Sequence, residues 1–148
     1  MQVDGKIFNG LCTMENKSLS SWIRQARYRA SKKDIANDLT IEDVKEILKQ
    51  CDNKCAYCDS SKSCWGSNAE ALDHPFPLSK CTPNVPANVL PVCKTIKKDK
   101  KHTDLAYMFI MGSITQQTYL NCLKIMFSNR GSEYVKEHVK KITGLEDA

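Results

Sequence analysis

The sequence predicts an α+β fold, with helices at both ends of the chain and a short β-hairpin between them. Three observations carry that expectation. Apolar residues recur at three- and four-residue steps over two stretches of the first third, 20–33 and 40–51. The centre, residues 52–92, is rich in Asn, Ser, Gly and Pro and contains two short apolar runs, 69–72 and 89–92. Helix-start signals then resume beyond residue 102. A chain of 148 residues, 41% hydrophobic, is long enough for one buried core and short for two.

Residues 1–17 mix Gly, Asn and charge without a period and read as an N-terminal arm. From Ser18 or Ser20, "SSWIRQARYRASKK" predicts a helix with Trp22, Ile23, Ala26 and Ala30 along one stripe and Arg24, Arg27 and Arg29 around it. "LTIEDVKEILKQC" predicts a second, with Thr40 as N-cap, Asp43 three residues on, and Ile41, Val44, Ile47 and Leu48 as its apolar face. The runs at 69–72 and 89–92 can pair as a hairpin across a loop holding Pro75, Pro77, Pro83 and Pro86. A short helix is expected on the lysine run that follows Cys93. In the tail, Thr103, Ser113 with Gln116, and Ser132 mark three helix starts, with Gly144 as a stop. Tyr107, Met108, Phe109, Met111, Tyr119, Leu123, Met126 and Phe127 read as core, Cys122 as a buried thiol and His138 as surface. The expected organisation is therefore the arm, then one domain over 18–148: a basic helical lead-in (18–50), a central unit (51–102) and a helical tail (103–148).

A formal charge of +5 and a pI near 8.7 favour a polyanionic partner. Eight cysteines would suit a disulfide framework in a secreted chain, but Met1 opens no charged-then-apolar leader and no apolar run approaches 18 residues. The expectation is an intracellular, reducing compartment, the cytoplasm of a host cell or an organelle matrix, with no membrane partner and some thiols on a metal.

Cys55-Ala-Tyr-Cys58 has the spacing that lets two thiolates of one tight turn reach a tetrahedral Zn²⁺. Cys93 is placed to be a third ligand, and the fourth is open among Cys51, Cys64, Cys81 and His102. Asp73-His74 is the second constellation. If Asp73 ends a strand, alternation sends the two side chains to opposite sides, so a carboxylate and a proton-accepting imidazole can flank one phosphate; the plainer alternative is a turn in which Asp73 accepts backbone amides and His74 packs. Asn88 can hold the intervening loop or orient the imidazole.

The order C-x2-C, D-H-x-x-P-L-S, N-V-L-P-V-C and a lysine-rich helix resembles the HNH endonuclease family with its ββα-metal finger. The likeness extends over the basic helical lead-in, which resembles that of many phage and mobile-element members, to cover residues 22–105. It implies an endonuclease that hydrolyses DNA, in preference to RNA, with Mg²⁺ or Mn²⁺. It further implies His74 as general base, Asp73 as a ligand of that ion, Asn88 as the structural middle residue, and Cys55, Cys58 and Cys93 as three of four zinc cysteines. The family helix after the second knuckle faces the minor groove, which implies phosphate contacts from Lys94, Lys97, Lys98, Lys100 and Lys101, joined by Arg24, Arg27 and Arg29.

Two positions depart from that pattern. Ile96 stands where a fourth zinc cysteine is usual, and Lys97 stands where an Asn, Asp or His completes the catalytic metal site. An ammonium repels a cation. The position can be repaired by Asp99 or His102, by Asp73 holding Mg²⁺ with water and phosphate, or by Lys97 supplying part of the metal's charge. The same departures allow a module that binds DNA or RNA without cutting, as a structural part of a nucleoprotein assembly. A zinc-ribbon-like protein-interaction domain is the third alternative.

Overall fold

A computed structural model describes residues 14–58, 67–100 and 103–143. The architecture is α+β: six helices and one two-stranded antiparallel sheet among the described residues. Helix α1 spans Asn16–Ser31 and α2 spans Ile41–Gln50, followed by strands β1 (Ala71–Asp73) and β2 (Leu90–Val92). Helices α3 (Lys94–Lys100), α4 (Leu105–Ile110), α5 (Gln116–Phe127) and α6 (Ser132–Thr143) complete the chain.

Helix α1 buries Leu19, Ile23, Ala26 and Ala30, positions that fall on one side of a 3.6-residue period. It starts at Asn16, ahead of the serines expected to begin it, behind a Glu15 N-cap that makes no side-chain cap bond. In α2 the Thr40–Asp43 capping box forms in both directions. Val44, Ile47 and Leu48 lie against α1 in a cluster that also takes Leu72 and Val89.

The hairpin separates this cluster from a second. Register pairs Ala71 with Val92, Leu72 with Pro91 and Asp73 with Leu90. Directly opposed residues share a face, so Asp73 lies on the side of Leu90 and Val92, which join the cluster built with α4, α5 and α6, while Leu72 turns toward α1 and α2. Pro91 brings no N–H to the ladder, which a two-stranded sheet, all edge, tolerates.

The tail keeps its three helices but changes their caps and faces. Asp104, not Thr103, caps α4 by accepting from the Tyr107 N–H at 2.7 Å. Thr115, not Ser113, caps α5 by accepting from the Thr118 N–H at 3.1 Å. Met108, Tyr119, Leu123 and Met126 are core and Cys122 is fully buried, as expected. Tyr107 and Met111 are exposed, because α4 is only 6 residues long and presents one narrow face. His138 is half-buried: its ring packs edge-on against Phe76 at 4.9 Å while it borders an open cleft. Gly144, expected as the final stop, lies outside the described residues. No helix among the described residues is long and apolar enough to cross a membrane.

Candidate functional site

Strand β1 ends at Asp73, so the following residue, His74, leaves the hairpin on the opposite side. The two side chains do point into different surroundings. Asp73 Oδ2 accepts from the Tyr57 hydroxyl at 2.8 Å and from Lys100 Nζ at 3.0 Å, and Oδ1 lies 3.7 Å from Lys97 Nζ. His74 stacks on Trp22 of α1, ring centroids 4.8 Å apart, and its Nε2 lies 2.9 Å from Asn84 Oδ1. Both residues are buried.

The tautomer of His74 follows from a chain of amides. The Arg27 carbonyl can only accept, and Asn37 Nδ2 donates to it at 3.0 Å. Asn37 Oδ1 therefore faces outward and accepts from Asn84 Nδ2 at 2.9 Å, which leaves Asn84 Oδ1 to accept from His74. Nε2 carries the proton and Nδ1 keeps its lone pair. Burial pushes the imidazole down to about 4, against smaller raising effects of the Asn84 bond and the Asp73 charge. The ring is neutral at pH 7.

Asn88 takes the loop-holding role rather than the orienting one. Fully buried, it accepts from the Phe76 N–H at 3.1 Å and donates to the carbonyls of Phe76 and Pro83, each at 2.9 Å. It thus clamps the loop that carries His74 against the start of β2. Thr82 donates to the Pro77 carbonyl at 2.7 Å in the same loop.

His74, Asp73, Lys97, Trp22, Arg29 and Leu78 line a cleft of about 350 Å³ between α1, the hairpin end and α3. Of the expected basic residues, Arg29 and Lys97 are brought into this cleft, and Arg24, Lys94 and Lys98 are exposed outside it. Arg27 donates to the Leu39 carbonyl at 3.2 Å, tying α1 to the approach of α2. Lys100 is a correction: with no exposed side-chain surface it cannot reach a phosphate, and it serves as the buried partner of Asp73. Lys101, and with it His102, lies outside the described residues.

The expected catalytic ion meets a donor set that does not fit it. Mg²⁺ and Mn²⁺ need oxygen donors free of competing cations, at about 2.0–2.1 Å for Mg²⁺. Asp73 spends its carboxylate on two ammonium groups and a phenol, and Lys97 also donates to the Leu72 carbonyl, the neighbouring oxygen of β1. Asp99 is on the exposed side of α3, bordering a different cleft with Ile96 and Lys100.

The thiols do converge. Sγ atoms of Cys55, Cys58 and Cys93 all lie within 4.8 Å of one another, with Cys58 and Cys93 3.7 Å apart. Such a set can hold a metal ion such as Zn²⁺. Burial pushes the Cys55 thiol up, against the smaller lowering effect of the Cys93 and Tyr57 backbone N–H groups that its sulfur receives. Ile96 packs in the same apolar cluster and offers no ligand. Cys51 and the exposed Cys81 stand outside the three-sulfur group, whereas Cys64 lies outside the described residues.

Four residues of this site escaped the sequence reading in their roles: Tyr57 and Lys100 on Asp73, and Asn84 and Trp22 on His74. Tyr57 sits inside C-A-Y-C, a turn in which the sequence marks only the cysteines. Asn84 had no local signal, because its link to Asn37 spans 47 residues. Compared with protein-family models, curated proteins and solved structures, the chain finds no match.

Proposed function

We propose that the chain is an HNH-like nuclease module that binds a nucleic-acid phosphodiester, DNA in preference to RNA, in the Trp22–Arg29–His74–Lys97 cleft and hydrolyses it. The observation that carries this reading is a neutral imidazole, fixed in one tautomer, beside two side-chain cations in one cleft. Asn84 holds the Nε2 proton, so Nδ1 is the atom that accepts a proton from water. The water oxygen attacks phosphorus, the bond to the leaving oxygen breaks, and that oxygen takes a proton from solvent. Arg29 and Lys97 offset the charge that builds on the phosphoryl oxygens. Burial keeps the base uncharged, and an anionic phosphate drawn into the cleft raises its proton affinity. The β1–loop–β2–α3 succession beside a three-cysteine knuckle supports a ββα-metal arrangement, in which Zn²⁺ would anchor the hairpin to the 55–58 turn.

A second reading, a module that binds nucleic acid without cutting it, is favoured by the engagement of Asp73 with Lys97 and Lys100. Plasmid cleavage decides between them. Supercoiled DNA is incubated with the wild-type chain and His74→Ala, with and without Mg²⁺ or Mn²⁺. Nicking lost in the variant supports the nuclease; cleavage unchanged by His74→Ala removes His74 as the base; DNA retained without cleavage leaves the binding module.

A further inference from the structure

The carboxylate of Asp73 is engaged by two protein ammonium groups and a phenol. We infer that Lys97, seated on the Asp73 carboxylate, is itself the phosphate-binding cation of this cleft, which takes up a nucleic-acid phosphate without a divalent metal. The inference rests on the nucleic-acid reading above and deepens it.

The geometry supplies the argument. Lys97 and Lys100 lie on α3 three residues apart, so both ammonium groups fall on one side of the helix and meet one carboxylate from two directions. Their circumstances differ. Lys100 has no exposed side-chain surface and, with the buried Tyr57 hydroxyl, satisfies Oδ2. Lys97 keeps 42% of its side-chain surface exposed and lines the cleft with His74, Arg29 and Trp22. Lys100 therefore balances Asp73, and Lys97 is the surplus charge, held in place by Asp73 Oδ1 and the Leu72 carbonyl and turned toward the space beside His74.

The local sum is cationic. Asp73 contributes −1, Lys97 and Lys100 +2, Arg29 +1 and neutral His74 nothing, giving +2 at one end of the cleft. That field attracts a phosphate and repels Mg²⁺. A lysine meets a phosphate oxygen as a point charge, and Trp22 lines the same cleft. Burial together with Lys100 and Arg29 lowers the proton affinity of Lys97 against the raising effect of Asp73. An anion entering the cleft favours the charged ammonium.

The test uses the full, zinc-loaded chain in buffer freed of other divalent ions. Mn²⁺ binding is titrated by electron paramagnetic resonance, and binding of a fluorescent DNA duplex is followed by anisotropy on ice with and without Mg²⁺. The variants are Lys97→Met, Lys97→Arg and Lys97→Asn, each checked for folding by circular dichroism. The wild type should bind DNA equally, within twofold, in either buffer and take up no Mn²⁺. Lys97→Met should weaken DNA binding at least tenfold and Lys97→Arg by no more than threefold. Lys97→Asn should weaken DNA binding as Lys97→Met does and still take up no Mn²⁺, because Lys100 and Arg29 outweigh Asp73.

Stoichiometric Mn²⁺ on the wild type that Asp73→Asn abolishes overturns the inference, as does unchanged DNA affinity in Lys97→Met. Should Lys97→Met fail to fold, the wild-type titration and Lys97→Asn still decide. Plasmid cleavage scored in the same buffers separates the two ideas. Cleavage that requires a divalent ion bound at Asp73 retains the nuclease and overturns the inference. Metal-free DNA binding through Lys97 with no cleavage in any buffer does the reverse.

Discussion

Lys100→Met tests the buried charge cluster most directly, since Met has nearly the same length without the ammonium. Lys100 Nζ lies 3.0 Å from Asp73 Oδ2, with side-chain exposures of 0% and 7%. At an effective dielectric of about 20 that pair attracts by roughly 5 kcal/mol before desolvation is counted. Removing one partner of such a pair typically costs about 3–5 kcal/mol, because the other charge stays buried. Here Tyr57 and Lys97 remain on the carboxylate, so the lower end, about 3 kcal/mol, is expected. For a chain of this size that corresponds to a fall in Tm of about 6–12 °C. Denaturant unfolding of the wild type, Lys100→Met, Asp73→Leu and the double variant measures it. The double variant should recover most of the loss, since replacing both charges removes the unpaired one. A Lys100→Met cost below about 1 kcal/mol, or a double variant as unstable as the sum of the singles, would refute a mutually dependent buried pair.

Three further outcomes are expected. His74 sits at about 4 in the folded chain against an ordinary 6.5, so the unfolded chain binds the extra proton between those values and stability is lost as pH falls through the window. The loss from pH 7 to pH 4 should be about 3 kcal/mol larger for the wild type than for His74→Gln, read by urea titration at each pH. The purified chain should bind Zn²⁺ at one per molecule by elemental analysis, and Cys93→Ser should lose it together with thermal stability. Asn88→Ala strips the Phe76 N–H and two carbonyls of their buried partner, and should cost about 2–4 kcal/mol by calorimetry while loosening hydrogen-exchange protection at Phe76.

Much of the architecture could be read from local pattern. The apolar stripes of α1 and α2, the Thr40–Asp43 box and the pairing of the two apolar runs depend on neighbours within a few residues or on period-2 alternation. The C-x2-C turn and the opposite directions of Asp73 and His74 are local in the same sense, because knuckle spacing and strand alternation are short-range geometry. The caps of α4 and α5 were misplaced by one and two residues, where several Ser, Thr and Asp compete within one turn and tertiary contacts choose among them.

Charge sites were where sequence reasoning stopped. In a lysine run every residue has the same composition signal, yet Lys94 and Lys98 face solvent, Lys97 enters the cleft and Lys100 is buried. Helical phase assigns those positions once α3 docks on the hairpin, and docking is a long-range event that no window of sequence contains. The relay from the Arg27 carbonyl through Asn37 and Asn84 to His74 likewise joins α1, the loop after it and the proline-rich loop. By itself the sequence determined the elements and the residue types available to the cleft. The tertiary structure decided which lysine balances Asp73, which meets the cleft and which nitrogen of His74 is free, because those depend on desolvation and partner geometry between distant segments.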